Sequence, residues 1–130
     1  MQQDRVRIGI IGAGFIGRAH ARAINENERS TLAAVADVDE SRGNALAKEY
    51  GCDYHPDYGK MLQRKDMEAV IICTPDHLHL DPCLAAAREG KQILLEKPIA
   101  TTLEDADGIL EAVAKHKVRL MVGHSLRFSL

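Results

Sequence analysis

The sequence predicts an α/β fold: one domain built on a doubly wound parallel sheet of about six strands. A short apolar run, Val6 to Ile11, ends abruptly in glycines and passes straight into a helical pattern. Strand-like and helix-like stretches then alternate along the chain, with no repeat and no low-complexity linker. The run Ala69 to Cys73 is apolar at every position, as a strand covered on both faces must be.

The first strand leads into a GxGxxG turn at Gly12, Gly14 and Gly17. Each glycine has a separate task where a strand turns into a helix beneath a pyrophosphate. Gly12 permits the tight turn, Gly14 lets a diphosphate come against the backbone, and Gly17 lets the helix lie close on its strand. The helix start supplies free N–H groups and the positive end of the dipole, so the site requires no basic side chain. Phe15, Ile16, Ala19, Ala23 and Ile24 are expected to share one face of this helix.

Thr31 to Ala36 reads as the second strand, and Asp37 closes it twenty residues after Gly17. A carboxylate there can accept both hydroxyls of an adenosine ribose. Asp39 caps a helix over Glu40 to Tyr50, which Gly51 ends. Cys52 to His55 is a short third strand, followed by a helical turn carrying Tyr58, Met61 and Leu62 on one side. After the fourth strand, Ala69 to Cys73, Thr74 and Pro75 break the chain, and a helix with Leu80, Leu84 and Ala87 on one face runs to Gly90. Strand five is Gln92 to Leu95, ended by Glu96, Lys97 and Pro98. Thr102 with Asp105 resembles a capping box, and Leu103, Ala106, Leu110 and Val113 recur at helical spacing before strand six, Val118 to Val122.

With 130 residues, 45 % hydrophobic and 28 % charged, the chain is one ordinary globular domain. A net charge of −2 with acids and bases interspersed points to neither a nucleic-acid surface nor a membrane-binding face. The N-terminus is polar and no apolar run is long enough to span a bilayer, so a cytoplasmic location is expected. Cys52, Cys73 and Cys83 are odd in number and lack CxxC spacing, which fits reduced thiols.

Ligands of such sheets bind at the carboxyl ends of the strands. The residues to watch are therefore Gly12 to Gly17, Asp37, Thr74 to His79, Glu96 to Pro98, and His124 onward. Cys73, His77, His79 and Cys83 suggest a metal cluster, but the spacing matches no usual zinc module and Cys73 falls in an apolar strand, so no metal is expected. His20, His55 and His116 have no partner visible in sequence.

The segments IGAGFIG, AVADVDESR, ICTPDHLH, GKQILLEKPIA and MVGHSLRF, taken in this order and at these spacings, resemble the Gfo/Idh/MocA family of NAD(P)-dependent oxidoreductases. The resemblance covers essentially the whole chain. It implies a Rossmann domain over residues 1–123, with 124–130 starting the crossover into an α/β substrate domain not contained here. It also implies hydride transfer between NAD and a hydroxyl or keto group of a sugar, cyclitol or related polyol. By this resemblance the cofactor-binding positions are Gly12, Gly14, Phe15, Ile16, Gly17, Asp37, Thr74, Pro75, His79, Glu96, Lys97 and Arg127. Lys97 of the EKP motif is implied to be catalytic. Read on its own, Lys97 is better taken as a solvated loop lysine after a strand; the resemblance shifts this to the catalytic role, in which a cation beside the reacting carbon would stabilise an incipient alkoxide. Asp37 favours NAD over NADP, because it accepts from a 2′-hydroxyl and repels a 2′-phosphate; Arg42 lies near enough to qualify this.

Without the second domain the chain is expected to bind a dinucleotide but not to turn over. Leu126 and Phe128 would then form part of a face open to self-association. The alternative is a non-catalytic NAD-sensing regulatory protein of the same family. A methyltransferase reading shares the glycine turn and the ribose acid but leaves Glu96-Lys97-Pro98 without a purpose.

Overall fold

The computed structural model describes residues 4–124. Six parallel strands form one sheet in the order β3-β2-β1-β4-β5-β6. They are β1 (Val6–Ile11), β2 (Ser30–Ala36), β3 (Asp53–His55), β4 (Ala69–Ile72), β5 (Gln92–Glu96) and β6 (Leu120–Gly123). The helices are α1 (Phe15–Glu26), α2 (Glu40–Tyr50), α3 (Tyr58–Leu62), α4 (Leu80–Arg88) and α5 (Leu103–His116), with a 3-10 turn at Asp76–Leu78. The chain builds the sheet outward from β1 to one side, then returns to start β4 on the other. The crevice between β1 and β4 is thus the topological switch point.

Alternation along the strands divides the apolar residues between two layers. Ile10, Val35 and Ile71 pack against Ala21 and Ile24 of α1 and Leu46 and Ala47 of α2. Ile11, Ile72, Ile93 and Leu95 face the other side, against Met61 and Leu62 of α3, Cys83 and Ala86 of α4, and Ile109 of α5. The continuous apolar reading of the fourth strand follows from this two-sided burial.

Punctuation residues act where the sequence placed them. The Asp39 side chain accepts from the Arg42 N–H and Gly51 ends α2 in the left-handed conformation, at φ 68°. Thr102 accepts from the Asp105 N–H to start α5.

Two helix faces differ from expectation. In α1 the buried residues are Gly17, Ala21 and Ile24, whereas Phe15 is 87 % exposed and Ile16, Ala19 and Ala23 are also exposed. The first turns of the helix lie so close on β1 that Gly17 and Ala21 sit beneath them, while Ile24 packs under the last turn and Phe15 and Ile16 are turned out toward the crevice. In α5 only Ile109 is fully buried, with Ala112 and Val113 partly so; the helix packs chiefly against α4, which leaves Leu103 and Leu110 exposed. Boundaries shift slightly as well: β3 starts at Asp53, β4 ends at Ile72, β5 includes Glu96, and β6 starts at Leu120.

Candidate dinucleotide site

The turn after β1 is shaped by backbone crowding. Gly12 has φ 101°, and a Cβ there would lie 2.7 Å from the Cys73 carbonyl oxygen. A Cβ on Gly17 would collide with the carbonyl of Gly12. Gly14 differs, since nothing lies within 4 Å of its Cβ position. Gly12 and Gly17 are therefore demanded by the protein's own packing, and Gly14 opens onto free space.

The start of α1 is unlike those of α2, α3 and α5. Asp39, Asp57 and Thr102 cap those three with side-chain oxygens, whereas α1 begins at Gly14 with no side-chain cap and no acid in its first turn. Its first N–H groups and the positive end of its dipole point into the crevice, the arrangement that holds a phosphate.

Asp37 sits at the carboxyl end of β2 beside this turn. Its Oδ2 accepts from the Ala13 N–H at 2.7 Å and its Oδ1 from the Asp39 N–H at 2.8 Å. Arg42, reaching back from α2, donates Nε to Oδ2 at 3.0 Å and Nη2 to Oδ1 at 3.1 Å. Burial pushes the Asp37 carboxyl upward, but the hydrogen bonds from Arg42, Ala13 and Asp39 outweigh it and hold the group below its ordinary range. The Tyr54 hydroxyl donates to the Asp37 carbonyl at 2.7 Å and fixes the backbone from behind.

A cavity of about 740 Å³ joins these features. That size accommodates a cofactor of dinucleotide class. Gly12, Gly14, Phe15, Ile16, Asp37, Thr74 and Pro75 line it, so seven of the sequence-selected positions come together on one wall system. Val38 and Arg42 line it too. Val38, 91 % exposed, carried no signal beyond standing next to Asp37.

The remaining positions lie apart from that cavity. Gly17 is beneath the turn. His79 is 1 % exposed, its Nδ1 2.9 Å from the Pro98 carbonyl oxygen and its Nε2 3.1 Å from that of Thr74. It braces the loop after β4 against the loop after β5. Lys97 is exposed beyond the end of β5. Glu96 meets His20 of α1, Nε2 to Oε1, at 2.7 Å. Sequence spacing left His20 without a partner, because the two residues stand 76 positions apart. Arg127 lies outside the described residues. Among the described residues, no three His, Cys, Asp or Glu side chains gather as a metal site, and no helix is long and apolar enough to cross a membrane.

Comparison with known proteins agrees with this geometry. Residues 6–124 match the model of an oxidoreductase family with an NAD-binding Rossmann fold, GFO_IDH_MocA. An inositol 2-dehydrogenase of Rhizobium meliloti is 41 % identical over 123 residues, covering 95 % of this chain and 37 % of the relative. A 2,7-anhydro-N-acetylneuraminate hydratase of Mediterraneibacter gnavus is 36 % identical, with 95 % of this chain and 32 % of the relative covered. Scyllo-inositol dehydrogenase from Lactobacillus casei, solved with NAD(H) and scyllo-inositol, superposes with a TM-score of 0.90 at 29 % identity, over 97 % of this chain and 38 % of that one. The chain thus spans about a third of the length of the relatives it matches. With its glycine turn, its uncapped helix and its match over residues 6–124, the chain belongs to the Gfo/Idh/MocA oxidoreductases as their NAD-binding Rossmann domain.

Proposed function

We propose that this domain serves an NAD-dependent dehydrogenase acting on a hydroxyl or keto group of an inositol or related polyol. The observation that carries the cofactor part is the convergence on one cavity of an uncapped α1, an open Gly14 and the Asp37 carboxylate. The diphosphate rests on the α1 N-terminus, and Gly14 allows its approach. Asp37 receives the adenosine ribose, which favours NAD over NADP. Thr74 and Pro75 line the way toward the nicotinamide side, and His79 holds their loop in place. When bound, the nicotinamide supplies the hydride acceptor or donor. Glu96, fixed by His20, and the exposed Lys97 flank that end.

Lys97 is the proposed catalytic residue. In oxidation its amine takes the hydroxyl proton as the C–H bond breaks, and the ammonium so formed stabilises the charge on the substrate oxygen; in reduction the ammonium returns that proton. The polyol class rests on the inositol dehydrogenase relatives. Because one equally covered relative is a hydratase, hydration is the second reading.

Calorimetric titration of the chain with NAD and NADP, repeated with Asp37→Ala, tests the site. NAD binding that weakens at least tenfold in the variant is expected, since a ribose diol loses a charged acceptor. A folded chain that binds neither cofactor would overturn the reading. In the holoenzyme, net formation of reduced cofactor with an inositol separates dehydrogenation from hydration.

A further inference from the structure

We infer that Arg42 masks Asp37 and thereby sets how strongly this domain distinguishes NAD from NADP. The inference rests on the dinucleotide reading above. A carboxylate offers about four hydrogen-bonding positions. All four on Asp37 are filled: Ala13 N–H and Arg42 Nε on Oδ2, Asp39 N–H and Arg42 Nη2 on Oδ1. The two backbone donors belong to the fold and stay. The guanidinium is the movable cover, since its side chain is half exposed while the Asp37 side chain beneath it is 2 % exposed. Both residues line the cavity.

A ribose diol therefore reaches the carboxylate only if Arg42 moves aside or gives up one of its two bonds. Breaking that half-exposed pair subtracts from the affinity for NAD. The same cover acts on the other cofactor in the opposite sense. A 2′-phosphate approaching a free carboxylate meets a bare negative charge, but here that charge is neutralised by a bidentate guanidinium. Masking weakens both the attraction for a 2′-hydroxyl and the repulsion of a 2′-phosphate. Asp37 alone would discriminate more sharply than the Asp37–Arg42 pair.

Arg42→Met keeps the aliphatic arm and removes the fork, so it is the variant to compare with wild type by titration of NAD and NADP at fixed salt. The variant should bind NAD roughly two- to fivefold more tightly, as expected for removing a half-exposed guanidinium that the ribose must otherwise displace, and its NAD-to-NADP affinity ratio should rise. In the wild type, the Arg42 Nε–H resonance should be visible without cofactor and should shift or broaden when NAD saturates the site. If Arg42→Met binds NAD more weakly, if the ratio is unchanged or falls, or if the resonance is unmoved by saturating NAD, Arg42 is a support for Asp37 and the inference is overturned while the cofactor site stands. If neither protein, shown to be folded, binds NAD or NADP, the functional reading fails and this inference fails with it.

Discussion

Arg64 shows how single residues knit the sheet's margin together. Its Nε and Nη2 each donate to Asp66 at 2.9 Å, and its Nη1 donates to Asp53 at 2.9 Å. Arg7 adds a further contact to Asp66 at 3.3 Å. The Arg64 hydrogen bonds are the main reason the Asp66 carboxyl falls to about 2. A carboxyl depressed in the folded state contributes stability above its ordinary value of 3.8, and loses it as pH drops through about 2. Asp66 is half exposed, so screening keeps this contribution under about 1 kcal/mol. Asp66→Asn should lower stability near neutrality by that amount and flatten the acid limb between pH 4 and 2; denaturant melts across pH would show it. The thiols give a second residue-scale prediction. Burial pushes Cys52 to about 11 and Cys73 and Cys83 to about 12, so at pH 8 all three are protonated. An aromatic disulfide reagent should titrate no thiol rapidly in the folded chain, but three after denaturation.

At the scale of elements, the glycine turn separates fold from function. Gly17→Ala drives a methyl into the Gly12 carbonyl and should cost several kcal/mol, seen as a lower denaturation midpoint. Gly14→Ala meets no protein atom. Its melt should stay within about 1 kcal/mol of wild type, while NAD affinity falls because the methyl stands where the diphosphate would approach. Equal destabilisation by both changes would contradict this division of labour. Much of this region was legible beforehand, since strand, glycines and Asp37 are bound to local chain geometry. Helix faces were less legible. Apolar spacing in α1 pointed to a face of Phe15, Ile16, Ala19, Ala23 and Ile24; Ile24 is buried, but the other buried positions are Gly17 and Ala21, because close contact of the first turns with β1 selects small residues. In α5, Leu103 and Leu110 have the right period, but the helix packs chiefly against α4 and the position it buries fully is Ile109.

For the molecule as a whole, one sheet serves two apolar layers. Ile10 belongs to the layer under α1 and α2 and Leu95 to the layer under α3, α4 and α5, both fully buried. Truncating either to alanine should cost about 2–5 kcal/mol. Because the strands are shared, damage to one layer should unfold both. Circular dichroism and tyrosine fluorescence should therefore report a single coincident transition in each variant. Two separated transitions would show that the layers are independent. Met121 on β6 and Leu103 and Leu110 on α5 are exposed apolar side chains, as are Phe15 and Val38 at the crevice.

By itself the sequence determined the order of strands and helices, the caps at Asp39 and Thr102, the turn at Gly12, Gly14 and Gly17, and the pairing of that turn with an acid after the next strand. These depend on neighbours within one or two elements, where propensity and backbone geometry act directly. Only the tertiary structure decided what surrounds each group. It put Arg42 over Asp37, wedged His79 between the carbonyls of Thr74 and Pro98, and set His20 against Glu96. Contacts such as His20 to Glu96 join positions far apart in the chain, and their formation depends on strand order and on how closely each helix settles on the sheet.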